Sequence, residues 1–145
     1  MNKILDERQL MIRGNIFKHG LFLLTALLLS NSLLYNLGFE WVAGKWAELT
    51  LILLTVVFCS IEFIYFDIYP LTRNIQKIGI FLLGLFGSLS VVSCLYEITT
   101  QKTGFVMDGK ITNNALGIVY GFMFISLTIA YIIKAYYNKR NNVID

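Results

Sequence analysis

Three long stretches of the chain are mostly apolar and contain no Asp, Glu, Lys or Arg: His19–Phe39, Ile78–Tyr96 and Ile111–Ile133. A helix needs about 20 such residues to cross the hydrocarbon core of a bilayer. A charge placed at the middle of a bilayer is costly, so charge-free runs of this length are typical of membrane spans. Each stretch is therefore predicted to form one membrane-spanning helix.

A fourth apolar region lies between Glu48 and Glu62, but the stretch between these carboxylates is too short to cross a bilayer as a helix. This helix must include one of the two carboxylates. The longer option runs from Leu49 to Phe66, takes in Glu62 and stops before Pro70. We therefore predict four spans, at about 19–37, 47–66, 78–96 and 113–133, and an all-α integral membrane protein built as a four-transmembrane-helix bundle.

The positive charges predict the orientation of these spans. Nine of the 12 Lys and Arg residues fall in the segment 1–18, the loop 67–77 and the tail 134–145. Lys and Arg accumulate on the cytoplasmic side of membrane proteins. The distribution predicts that both termini and the middle loop are cytoplasmic, and that the protein lies in the cell membrane as a multi-pass protein. Aromatic residues that would anchor its boundaries are Trp41, Trp46, Tyr69, Tyr136 and Tyr137.

Composition agrees with a membrane protein. Hydrophobic residues make up 57% of the chain, charged residues 14%, and the mean hydropathy is +0.67. Soluble domains carry about 25% charged residues. The sequence lacks the motifs of phosphate, dinucleotide, zinc and hydrolase sites, so we expect no enzyme, no cofactor and no metal site. The net charge of +3 arises mainly from the Lys and Arg residues that set the predicted orientation. We therefore expect no nucleic-acid partner.

The chain resembles one helical hairpin written twice. Residues 15–24 and 74–83 are identical at seven of ten positions with an offset of 59, and further matches link the second helices at an offset of 66. The alternative is that apolar helices with similar entry residues match by chance. A tandem duplication in which both hairpins begin on the same side would be a parallel repeat about an axis along the membrane normal.

Small residues are candidates for helix packing, because spans associate where their backbones approach closely. Gly117 and Gly121 have a small-xxx-small spacing in the fourth span. They would mediate either a homo-oligomer or contacts within the bundle. The candidate packing residues are Gly84, Gly87, Ser88, Gly117 and Gly121.

Glu62 and His19 are the candidates for chemistry. Glu62 is a carboxylate drawn inside the predicted boundary of the second span, and His19 lies at the same predicted side. A pair of these residues would form a proton- or ion-sensitive site, since imidazole titrates near neutral pH. The alternative is two independent polar groups facing lipid headgroups. Cys59 and Cys94 are predicted to lie too far apart for a disulfide and to serve as small apolar side chains.

The segment Met1–Lys18 has apolar residues on one helical side and charged residues on the other. It is predicted to be an interfacial amphipathic helix on the inner leaflet, with Gly14 at its bend into the first span. It would either dock a membrane or cytoplasmic protein partner or anchor the chain on the lipid bilayer.

Asp6-Glu7-Arg8-Gln9, followed by a basic stretch and four apolar helices, resembles small uncharacterised membrane proteins of Gram-positive bacteria whose chains open with this tetrapeptide. The resemblance implies a bacterial cell membrane and transfers no activity to named residues. The sequence favours a non-catalytic accessory, regulatory or protective protein that contacts other membrane components. The alternative is a small proton- or ion-coupled transporter that uses Glu62 as an oligomer.

Overall fold

The computed structural model describes residues 6–42, 46–66, 68, 74–101 and 104–141. These residues form four helices and a two-stranded ribbon. Each helix is long and apolar enough to cross a membrane, which confirms the prediction of four such helices. The elements are α1 (Glu7–Asn36), α2 (Trp46–Tyr65), α3 (Asn74–Gln101), β1 (Val106–Met107), β2 (Lys110–Ile111) and α4 (Asn113–Asn141).

Helix α1 begins twelve residues before the predicted span and runs without interruption through Gly14. The described part of the predicted interfacial segment is thus continuous with the first span. Packing explains the continuity: the side chain of Ile16 is only 1% exposed, and its carbonyl oxygen lies 3.9 Å from the Cys59 thiol of α2. At its other end α1 stops where Gly38 adopts a φ of 78°, a conformation typical of helix C-termini.

The helices pack in a row. Helix α1 lies against α2, α2 against α4, and α4 against α3, so the second helix of each hairpin occupies the middle of the row. The α3–α4 contact is the most extensive of the three. Among the described residues, the four helices of the predicted bundle therefore lie side by side in an open row.

One end of the molecule, here called the terminal end, holds the start of α1 and the end of α4. The rings of Phe17 and Phe63 lie 5.5 Å apart and join the start of α1 to the end of α2. Lys134 of α4 donates a hydrogen bond to the carbonyl oxygen of Tyr65 at 2.8 Å. The opposite end, here called the ribbon end, holds the β-strands and the chain reversal after α1.

Close approach at small residues explains the α3–α4 interface. An added Cβ on any of the four predicted packing glycines of these helices would collide with or press on the opposite helix: Gly84, Gly87, Gly117 and Gly121. These glycines are covered within the chain, so the within-chain alternative applies to Gly117 and Gly121. The prediction for Ser88 needs correction, because Ser88 is exposed and donates to Leu85 of its own helix. Ser90 instead crosses the interface and donates to the carbonyl oxygen of Gly117 at 3.0 Å.

The seam between α2 and α4 joins the two hairpins. Its buried cluster contains Val57, Met123 and Leu127, with Ile61 packed against it. Nearer the ribbon end, the hydroxyls of Thr50 and Tyr120 lie 2.8 Å apart across the same seam. The seam is therefore apolar at one level and bridged by a hydrogen bond at another.

The ribbon end is closed by a short antiparallel ribbon that our sequence analysis did not predict. Strands β1 and β2 are joined by Asp108 and Gly109, with φ values of 52° and 76°, the geometry of a tight hairpin turn. Ile111 pairs with Val42 and donates its amide to the carbonyl oxygen of Trp41 at 2.8 Å. The ribbon thus ties the second hairpin to the segment that follows α1.

Candidate functional site

His19 and Glu62 meet at the terminal end. The Nδ1 atom of His19 lies 3.4 Å from the Oε1 atom of Glu62. The imidazole is 63% exposed and the carboxylate side chain 19% exposed. Helices α1 and α2 therefore bring together the two ionisable groups that the sequence singled out.

The second carboxylate oxygen of Glu62, Oε2, is buried and has no hydrogen-bond partner among the described residues. A buried acceptor without a donor costs free energy. A hydrogen-bond donor or a cation that reached Oε2 would reduce this cost.

The placement of this pair follows from helix geometry. Ile16 and Gly20 are the buried residues of α1, and they are one turn apart on the side that faces α2. His19 and Phe17 project on opposite flanks of that side. His19 reaches Glu62 on one flank, and Phe17 reaches Phe63 on the other.

Both cysteines pack against glycines of a neighbouring helix. An added Cβ on Gly20 would collide with the Cys59 sulfur, and one on Gly117 would collide with the Cys94 sulfur. Both thiols are free. They fill the space that the glycines leave, as small apolar side chains do.

Within the described ranges, no three His, Cys, Asp or Glu residues come together in a metal-binding group.

The ribbon end has a cleft of about 460 Å³ between α1 and the start of α2. Trp41 lines it and donates its indole N–H to the Asn31 side-chain oxygen at 2.7 Å. Glu40 also lines it and pairs with Lys110 of β2. These contacts tie the cleft walls to the ribbon and to each other.

The predicted anchor residues occupy both ends. Trp46 is exposed at the ribbon end, and Tyr136 and Tyr137 are exposed near the end of α4. Trp41 is partly buried, because its ring packs on the cluster around Val42. Tyr69 lies outside the described residues, and contact of the others with a membrane boundary stays a prediction.

Two features of the site region escaped the sequence analysis. The ribbon had a local signal, since Asp108-Gly109 between apolar residues is a hairpin turn sequence. The contact between Thr50 and Tyr120 had no local signal, because it joins residues 70 positions apart in sequence.

Comparison of the chain with protein-family models, with curated proteins and with solved structures finds no match.

Proposed function

We propose that the chain is a multi-pass protein of the bacterial cell membrane with both termini in the cytoplasm. It acts as a non-catalytic accessory or regulatory protein that contacts other membrane components. The observation that carries the proposal is the open row of four apolar helices, which leaves long apolar faces on its outer members.

The outer face of α3 supports placement in a membrane. Large apolar side chains are exposed along its length, among them Phe81, Leu85, Phe86, Leu89 and Val92. Soluble monomers rarely expose an apolar patch of more than a few hundred Å². Lipid or a membrane protein is the natural cover for this face.

The polar groups between the two ends support a role without transport. The hydroxyl of Thr55 donates to Leu51 in its own helix at 2.9 Å, and that of Thr50 donates to Trp46 at 2.7 Å. These hydroxyls are satisfied by their own helix, which fits a packed helix wall. The proposed activity is therefore contact with a partner.

Burial along the middle helices supports the proposed duplication. At the offset of 66, three of the five buried residues of α2, Thr50, Thr55 and Val57, correspond to Leu116, Gly121 and Met123 of α4, which are also buried. Val57 and Met123 even share one cluster across the seam. Equivalent helices that face each other are expected for two hairpins related by a twofold axis along the membrane normal.

The accessory proposal is tested by site-specific photocrosslinking in native membranes. Met11 is 71% exposed on α1 and Phe86 is 63% exposed on α3. A crosslinker at position 11 should give one discrete protein adduct, whereas position 86 should give lipid adducts. Lipid adducts alone at both positions, together with flux of protons or solute in liposomes, would contradict the proposal.

A second candidate, a proton- or ion-coupled transporter, is favoured by the contact between His19 and the half-buried Glu62. Its test is proton flux into liposomes that contain the purified protein and an internal pH-sensitive dye. Under this candidate Glu62→Gln abolishes the flux. Glu48→Gln is the matched control, since Glu48 is an exposed carboxylate in the first turn of the same helix. Absence of flux in the wild-type protein removes this candidate.

A further inference from the structure

A groove of about 530 Å³ runs between α1 and α2. Its walls are almost entirely apolar and include Phe17, Leu21, Leu24, Val56, Ser60 and Phe63. Its volume lies within the range of about 300–1,000 Å³ that is usual for small-molecule sites. Gly20 and Cys59 hold the two helices together at its floor, and larger side chains on either side form its walls.

A positive charge lies at the terminal end of this groove. The guanidinium carbon of Arg13 sits 5.7 Å from the centre of the Phe17 ring, and Phe17 itself lines the groove. Arg13 is half-buried, and it is one helical turn closer to the terminal end than Phe17. A ligand in the groove would therefore present one end to a fixed guanidinium group.

The carboxylate nearest to the groove in sequence is used elsewhere. Glu62 precedes Phe63, but it contacts His19 on the opposite flank of α1. Lys18, next to Phe17, is exposed and adds a second cation to the terminal end. The charge at the groove end thus suits an anion.

We propose that the groove between α1 and α2 is a binding site for one anionic phospholipid, with an acyl chain along the apolar walls and the phosphate at Arg13. This combination of a long apolar hollow and a guanidinium at its end matches the chemistry of such a lipid. The inference rests on the proposed membrane placement. It extends the proposed function by assigning a lipid class and a binding residue.

The test is native mass spectrometry of the full-length protein in a non-ionic detergent, titrated with phosphatidylglycerol or with phosphatidylcholine of the same acyl chains. One phosphatidylglycerol should be retained per chain. A hydrogen-bonded charge pair is worth about 1.5–3 kcal/mol, so Arg13→Ala should weaken retention about tenfold or more. Arg13→Lys should restore part of it.

Two further variants distinguish lipid binding in the groove from non-specific attraction between a cationic protein and an anionic lipid. Arg8→Ala removes an exposed cation from the same helix and should leave retention unchanged. Ser60→Phe fills the groove and should weaken retention of both lipids, with folding checked by circular dichroism. Equal retention of the two lipids, an equal loss with Arg8→Ala and Arg13→Ala, or a protein dimer in place of the lipid adduct overturns the inference.

Alkaline extraction of native membranes distinguishes this inference from the proposed function. If the protein remains in the membrane pellet but retains no phosphatidylglycerol, only the lipid site is refuted. If alkali releases the protein, the membrane placement is refuted as well.

Discussion

Replacing Gly87 with alanine should destabilise the α3–α4 hairpin. A Cβ at this position would lie 2.7 Å from the carbonyl oxygen of Gly121 and 3.1 Å from the Cβ of Phe124. The nearer neighbour is backbone, so the helices must separate by several tenths of an ångström. Overpacking of this kind costs about 1–3 kcal/mol.

Gly79→Ala is the matched control for this substitution. Gly79 lies in the same helix, and an added Cβ would meet nothing within 4 Å. Alanine is favoured over glycine inside a helix by about 0.5–1 kcal/mol. Both variants gain this preference, so it cancels in the comparison, and their free energies of unfolding should differ by the overpacking cost of about 1–3 kcal/mol, with Gly87→Ala the less stable.

The assay is reversible unfolding in mixed micelles with increasing sodium dodecyl sulfate, followed by circular dichroism. Wild-type protein and both variants are compared at one total detergent concentration. Equal stability of Gly87→Ala and Gly79→Ala would refute the reasoning, because it would mean that α3 and α4 do not approach closely at Gly87.

Three further predictions concern the seam and the ribbon end. A double-mutant cycle of Thr50→Val and Tyr120→Phe should give a coupling free energy of about 0.6 kcal/mol in the same unfolding assay, as for other hydrogen bonds between membrane helices; additive effects would refute the bond. Trp41→Phe should lower the free energy of unfolding by about 0.5–1.5 kcal/mol, because the part-buried Asn31 loses its donor; a change below the error of the assay would show that Asn31 finds another partner. Gly109→Ala should strain the left-handed turn by about 1–2 kcal/mol and speed hydrogen exchange at the nearby ribbon amides; an unchanged exchange rate would contradict the turn geometry.

The number of helices could be predicted from the sequence because charge-free length is a strong signal. Their ends could not, since Glu7–Lys18 continues α1 through packing of Ile16 that no local pattern reveals. The sequence also did not show which side of α3 faces α4, so small residues on the two sides could not be told apart. That is why Ser88 was chosen as a packing residue and Ser90 was missed.

The pairing of His19 with Glu62 could be predicted because both residues were placed near the same membrane boundary. They lie on consecutive helices that run in opposite directions, which brings that end of one helix beside that end of the other. The order of helices did not follow from the sequence, because short connections allow several arrangements of two hairpins. Strands of two residues are likewise too short to show an alternating pattern, so the ribbon had only its turn as a signal.

The two hairpins, which we propose to be a tandem duplication, differ at one instructive position. Thr128 of α4 corresponds to Glu62 at the offset of 66, and its hydroxyl donates to the carbonyl oxygen of Ile80 in α3 at 3.0 Å. The second hairpin is thus closed by a neutral bond where the first carries ionisable groups. At this position, the contact between a carboxylate and an imidazole therefore belongs to the α1–α2 half of the molecule.

The row of helices has a consequence for biosynthesis. The first hairpin contacts the second mainly through α2, along a seam that runs from Val57 and Met123 to Thr50 and Tyr120. Because each helix pair packs more extensively within its own hairpin than across the seam, we expect each half to fold largely by itself, and the halves to join only after α4 has been made. Because Ile111 donates its amide to the carbonyl oxygen of Trp41, the ribbon can form this contact only after the halves have joined, and protection of the Ile111 amide from exchange would report that step.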